Sequence, residues 1–146
     1  MMIDARRLTE DFTAAPQIDP EDVPALKAAG FTHIVNNRPD SEVPPSHQAD
    51  RMAEAAAAAG IGYTAIPVSP AGIAPADVDR MAAVLAEAPG PVFAWCRSGT
   101  RSTNLWALAE ATRGRDASSL VEAAAKGGYD VSGLIPALDS LSNRAR

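Results

Sequence analysis

Short apolar runs and longer stretches with helical spacing of apolar residues take turns along this chain from about residue 11 to 115. Phe12–Ala15 reads as a short strand. Asp19-Pro20-Glu21-Asp22 has the chemistry of a helix start: Asp19 as N-cap, Pro20 at the first helical position and acids in the first turn, with Gly30 as the stop. Phe31–Asn36 reads as the next strand, followed by a loop from Asn37 to Ser46 and a helix from His47 to Ala59 that ends at Gly60. The alanine run 55–59 fits that helix, since alanine is the best helix former. Tyr63–Val68 is a strand with Ser69–Gly72 as its loop, and Pro75 opens a helix to Ala88 with Val78, Met81, Val84 and Leu85 facing a core. After the turn Pro89-Gly90-Pro91, the apolar Val92–Trp95 reads as a buried strand running directly into Cys96. Helices over 102–112, 117–126 and 131–141, separated by Gly114 and by Gly127-Gly128, complete the pattern.

Strands joined through helices imply crossover connections, hence an α/β fold with a central, mostly parallel sheet and helices on both faces. The functional crevice of such a sheet lies at the carboxyl ends of its strands. The loops 37–40, 69–72 and 96–101 are expected to converge there. A single domain over residues 1–146 is expected, with a core over about 11–115 and C-terminal helices over about 116–142.

Composition changes this picture mainly by exclusion. No apolar run reaches the length of a membrane span, so no membrane partner is expected. Met1–Arg7 carries no apolar segment ahead of a small-residue cleavage site, and a cytoplasmic location follows as the default. A net charge of −5 without a basic tract argues against nucleic acid as a partner. The excess of arginine over lysine (Lys27 and Lys126 only) follows from GC-rich codon usage as readily as from function. One cysteine, Cys96, with only His33 and His47, excludes an intramolecular disulfide, an internal dithiol cycle and a Cys/His zinc site. No metal and no organic cofactor is expected, for there is neither a Walker-type lysine loop nor a Gly-rich dinucleotide turn. The sequence carries no signal for oligomeric state.

The chemistry concentrates in Cys96-Arg97-Ser98-Gly99-Thr100-Arg101-Ser102, between a hydrophobic strand and a helix. Strand-loop-helix geometry aims successive backbone N–H groups and a helix N-terminus into a cup that binds an oxyanion, here over Arg97, Ser98, Gly99 and Thr100. Gly99 permits the backbone such a cup demands. Arg101 offers a planar fork for two oxygens of phosphate, sulfate or thiosulfate. Cys96 sits at the floor, where those dipoles and that cation favour thiolate over thiol, and Ser102 is placed to donate to it. The constellation is a nucleophile beneath a preorganised anion site, and its partner is a small anionic substrate.

This loop resembles the signatures of cysteine-dependent phosphatases and of rhodanese-type sulfurtransferases. The chain more broadly resembles the phosphatase-like family of beta-lactamase-hydrolase-like proteins, through Ile18–Asp22, Ala29-Gly30-Phe31, Val35-Asn36-Asn37-Arg38-Pro39-Asp40, Ile66-Pro67-Val68 and Cys96–Ser102. The resemblance implies a tyrosine-phosphatase-like fold, Cys96 as nucleophile and Arg101 as the anion-binding arginine. Relatives include phosphatase-like and sulfurtransferase members, so it leaves the reaction open.

The chain departs from the phosphatase pattern in two ways. Four residues separate Cys96 from Arg101, the rhodanese number, where tyrosine phosphatases have five, and Trp95 replaces the preceding histidine. The loop Val68–Ala74 holds no carboxylate to protonate a leaving group, which leaves Asp40 on a neighbouring loop as the substitute acid. Asp40 also reads as a turn former after Pro39. Arg38 reads either as a second anion contact or as a partner of Asp40 or Glu42, and Arg97 as an outward-pointing charge that steers anions. Three functions follow from these residues: a phosphatase working through a thiophosphate, a sulfurtransferase working through a Cys96 persulfide, or a non-catalytic anion-binding or interaction module.

Overall fold

The computed structural model describes residues 3–145; Met1, Met2 and Arg146, on which parts of the N-terminal and domain-boundary readings fall, lie outside the described residues. A five-stranded sheet runs in the order β1-β2-β5-β3-β4, with β1 Arg6–Thr9, β2 Phe12–Ala15, β3 His33–Asn36, β4 Gly62–Ala65 and β5 Val92–Trp95. β1 pairs antiparallel with β2, and every other pairing is parallel. Six α-helices among the described residues accompany it: α1 Val23–Ala28, α2 Ala49–Ala59, α3 Pro75–Glu87, α4 Thr100–Thr112, α5 Ala117–Lys126 and α6 Ile135–Arg144.

Strand β5 shows why the sheet needs helices on both faces. All four of its residues are buried, and side chains alternate between the faces of a strand. Val92 and Ala94 join the apolar layer that includes Met81 of α3, Leu105 and Trp106 of α4, Leu120 of α5 and Leu138 of α6. Phe93 and Trp95 join the opposite layer with Val23 and Leu26 of α1 and Met52 and Ala56 of α2. The ring of Trp106 stacks on Phe12 at 5.3 Å between centroids, tying α4 to β2.

Four expectations are adjusted. The strand β1 is additional: only Leu8 of its four residues is buried, so the sequence carries no strand rhythm there. The expected first helix divides into a 3-10 turn, Pro20–Asp22, and α1. Asp22 Oδ2 accepts the Asp19 N–H at 2.8 Å, while the Asp19 carboxylate meets His47 Nε2 at 2.6 Å. The strand expected over 63–68 ends at Ala65, because Pro67 brings no N–H to a ladder, although Ile66 and Val68 remain buried. The last helix starts at Ile135, after a 3-10 turn over Ser132–Leu134, with Pro136 in its first turn. The expected stops hold: Gly30, at φ 103°, follows the Ala29 cap of α1, and Gly60 caps α2 at φ 72°.

No helix among the described residues is long and apolar enough to cross a membrane. Replacing the fully buried Trp106 with alanine removes the stacked pair and opens a cavity between α4 and β2. Urea unfolding of Trp106→Ala is expected to show a loss of about 3–5 kcal/mol with an unchanged denaturant slope.

Candidate active site

The parallel strands end in register. Ala15 of β2 and Asn36 of β3 both lie opposite Trp95 of β5, and Asn36 lies opposite Ala65 of β4. Their four loops therefore leave the sheet at one level, with the loop after the central β5 in the middle. Backbone bonds fix its neighbours: Cys96 N–H donates to Ala15 O at 3.4 Å, Asn37 N–H to Trp95 O at 2.8 Å, and Gln17 N–H to Arg97 O at 3.4 Å.

Cys96 is fully buried at the base of the loop. The Gly99 N–H donates to its sulfur at 3.1 Å. Gly99 is also the N-cap of α4, at φ 93° and ψ −10°, a left-handed conformation that favours glycine. A second constraint acts at the same residue: a Cβ built on Gly99 would fall 1.9 Å from the Tyr129 hydroxyl oxygen. Arg97, Ser98 and Thr100 are exposed around the rim, and the Ser98 hydroxyl donates to Thr100 Oγ1 at 3.1 Å.

Arg101, in the first turn of α4, reaches back to the loop after β4. Its Nη1 donates to Glu42 Oε2 at 2.9 Å and to Val68 O at 2.6 Å, and its Nη2 donates to Glu42 Oε1 at 2.7 Å. Three guanidinium N–H groups are spent this way. The Nε–H and the second Nη2–H remain as a parallel pair, and the guanidinium interacts electrostatically with the Cys96 sulfur. The hydrogen-bonded Glu42 raises the Arg101 pKa, the Cys96 sulfur adds to this, and burial opposes it. The same bond holds the Glu42 carboxyl below the usual glutamate range, against its partial desolvation and with help from Arg38.

Glu42 is the residue the sequence did not reveal in this role. It sits on a 3-10 turn, Asp40–Glu42, and meets Arg101 from 59 positions away. Arg38 takes the second of its two expected roles, with Nε on Glu42 Oε1 at 3.4 Å, Nη2 on Glu42 O at 3.1 Å and Nη1 on Gln17 Oε1 at 3.2 Å. Asp40 is exposed, and its Oδ1 accepts the Ala49 N–H at 2.8 Å, capping α2. The structure gives this carboxylate a helix-capping task on the crevice loop.

One contact is corrected. Ser102 does not donate to the Cys96 sulfur; its buried hydroxyl donates to Asn37 Oδ1 at 2.7 Å. Asn37 is fully buried, its Nδ2 goes to Ile66 O at 2.9 Å, and its oxygen takes the Ser102 donor. This pair pins α4 to the ends of β3 and β4. His33 binds Thr64 Oγ1 at 2.8 Å across the β3–β4 pair, far along the strand from the loop. A groove of about 580 Å³ lies among Ile73, Val78, Leu108 and Leu141, and neither Cys96 nor Arg101 lines it. No cluster of three His, Cys, Asp or Glu side chains suited to a metal occurs among the described residues.

The mostly parallel five-stranded sheet with helices on both faces is the tyrosine-phosphatase-like α/β fold. Residues 4–113 match the family described as beta-lactamase hydrolase-like protein, phosphatase-like domain, and the chain belongs to that family. It is 44% identical over 118 residues to a beta-lactamase hydrolase-like protein of Agrobacterium fabrum, covering 81% of this chain and 27% of that one. A protein of the same name from Xylella fastidiosa is 38% identical over 94 residues, 64% of this chain and 22% of that one. The chain thus spans about a quarter of the length of the curated relatives it matches. Among solved structures, a phosphatase candidate from Neisseria meningitidis is similar with a TM-score of 0.78 and 26% identity, over 96% of this chain and 99% of that one. PTPMT1 in complex with PI(5)P shares the fold alone, at a TM-score of 0.75 and 12% identity, over 97% of this chain and 96% of that one.

The Glu42–Arg101 pair makes a pH-dependent contribution. A carboxyl whose pKa is lower folded than unfolded adds stability above its unfolded pKa, and this is lost as pH falls through the folded one. Glu42→Gln is expected to be about 1–2 kcal/mol less stable at neutral pH, as befits a partly buried bidentate pair. The gap to wild type should close on acidification through and below the carboxylate range. Denaturant melts of both proteins across that range check this; a pH-independent gap would count against the ion pair.

Proposed function

We propose that this protein is a phosphatase-like hydrolase that cleaves small phosphoesters with Cys96 as nucleophile. The observation that carries the reading is one buried sulfur that accepts the Gly99 N–H and interacts electrostatically with an Arg101 guanidinium anchored on Glu42. Phosphate oxygens would take backbone N–H groups of residues 97–101, that of Gly99 first, and the free edge of Arg101, as at other helix N-termini that bind anions. The thiolate attacks phosphorus, the S–P bond forms, and the ester P–O bond breaks with its electron pair leaving on oxygen. Water then attacks the thiophosphate, releasing phosphate and regenerating the thiolate, with one water proton lost to solvent.

Departure of that oxygen is the demanding step. Asp40 is the carboxylate we assign to it, from a loop that borders the crevice, although one of its oxygens is held by Ala49 N–H. With no carboxylate on the loop 68–74, catalysis would depend steeply on leaving-group acidity. Phenyl phosphates with acidic phenols should be cleaved far faster than alkyl phosphates. Cys96→Ser should abolish turnover, and Arg101→Lys, which loses the planar fork, should lower kcat/KM on the order of 10²–10³-fold. Asp40→Asn should slow poor leaving groups selectively, and an equal effect on all substrates would remove its acid role.

Sulfur transfer is the second reading, favoured by the four-residue spacing and by a chemistry that needs no acid. There the thiolate attacks the outer sulfur of thiosulfate, a new S–S bond forms, and sulfite leaves with the electron pair of the broken one. An acceptor thiol would then collect the persulfide sulfur. Intact-protein mass after thiosulfate treatment decides between the two. A gain of one sulfur in wild type and none in Cys96→Ser favours transfer. No adduct on a reactive Cys96 leaves hydrolysis, and anion binding without any turnover would point to a non-catalytic module.

A further inference from the structure

We infer that Tyr129 is a positioning residue of the anion cup, which holds the Ser98–Gly99 peptide with its N–H turned inward to sulfur and substrate. The inference rests on the anion-cup reading above and goes beyond it, because Tyr129 lies outside the Cys96–Ser102 loop, between α5 and α6.

The argument is one of peptide geometry. The Ser98 carbonyl and the Gly99 N–H belong to one trans peptide plane and point in opposite directions. The Tyr129 hydroxyl donates to Ser98 O at 2.9 Å on one side, and the Gly99 N–H donates to Cys96 Sγ at 3.1 Å on the other. Rotating that peptide would break both bonds at once and turn a carbonyl dipole toward the thiolate. The two bonds also polarise each other through the peptide, so the phenol strengthens the donor that the sulfur and a bound oxyanion meet.

The tyrosine is itself held in place. Its ring lies 5.5 Å from the Arg6 guanidinium carbon, and Arg6 Nη1 donates to Gly127 O at 3.0 Å at the start of the same turn. A Cβ on Gly127 would meet Leu8 at 2.3 Å and the Tyr129 ring at 3.4 Å, so a bare glycine lets the turn close on β1. The titratable groups that act on the phenol are Arg6, with Asp4 bound to it, and Cys96, whose sulfur also interacts with Arg101 of α4. Burial raises the Tyr129 pKa, opposed by Arg6 and reinforced by Cys96 and Asp4, so the hydroxyl remains a donor at neutral pH.

Tyr129→Phe removes the hydroxyl and keeps the ring. The test follows iodoacetamide alkylation of Cys96 against pH, with and without inorganic phosphate, alongside thermal unfolding. The expected result is a Tm within a few degrees of wild type, an alkylation midpoint moved to higher pH, and phosphate protection weakened roughly 3- to 10-fold. An unchanged midpoint and unchanged protection in the folded variant would overturn the inference. Should Tyr129→Phe fail to fold, site-specific 3-fluorotyrosine at this position supplies a more acidic donor. It should move the midpoint to lower pH, and no movement would likewise sink the idea. A wild-type Cys96 that phosphate does not protect would overturn the anion-cup reading itself, a separate failure seen without any variant.

Discussion

The site depends on β5 being hydrogen-bonded on both sides. A strand inserted between β2 and β3 must be apolar on both faces, and Val92–Trp95 meets that demand with no exposed residue. Its carboxyl end then falls in the middle of the sheet, and the chain can leave only upward, into the space between the loops of its neighbours. The nucleophile candidate is placed by packing: Cys96 is buried because the residue before it is core. Connections from β2 and β3 run to α1 and α2 on one face while β5 feeds α4 on the other, and the crevice opens where these paths part.

From that placement, the loop is shaped by contacts that come from far away in sequence. Glu42 fixes the Arg101 guanidinium by its outer edge, Asn37 and Ser102 fasten the first turn of α4, and Tyr129 fixes one peptide of the loop. Each contact uses a polar group that a helix start would otherwise leave to solvent. The Gly99 N–H is therefore already directed at the sulfur, an arrangement of the kind in which electrostatic stabilisation costs no rearrangement.

This arrangement explains which parts were legible in the sequence. Strands β2, β3 and β5, the helices after them and the Cys96–Ser102 loop are local in nature: an apolar run, a glycine and a helix start lie within a few residues of one another. The family resemblance, carried by Ile18–Asp22, Ala29–Phe31, Val35–Asp40, Ile66–Val68 and Cys96–Ser102, agrees with the match over residues 4–113. Strand β1 was not legible, because an edge strand with one buried residue has no alternation to read. Glu42 and Tyr129 were not legible for a different reason. A glutamate after Asp40-Ser41 and a tyrosine after Gly127-Gly128 look like ordinary loop residues, and their partners lie 59 and 31 positions away. Ser102 shows the converse: proximity in sequence suggested the sulfur, but a buried asparagine oxygen from β3's loop claimed the hydroxyl first.

The charge balance beneath the crevice bears on what it can hold. Two arginines, Arg38 and Arg101, share the single carboxylate of Glu42, so this cluster carries about one net positive charge within a chain of net charge −5. One net cation is a weak attractor for a doubly charged anion across an acidic surface. An anion seated there would draw the rest of its stabilisation from neutral dipoles: the Gly99 N–H that faces the sulfur and the N-terminus of the thirteen-residue α4. Such dipoles act at short range and in fixed directions. They favour a tetrahedral oxyanion seated on the sulfur over a charge merely nearby, and they make the orientation of each loop peptide matter as much as the arginine.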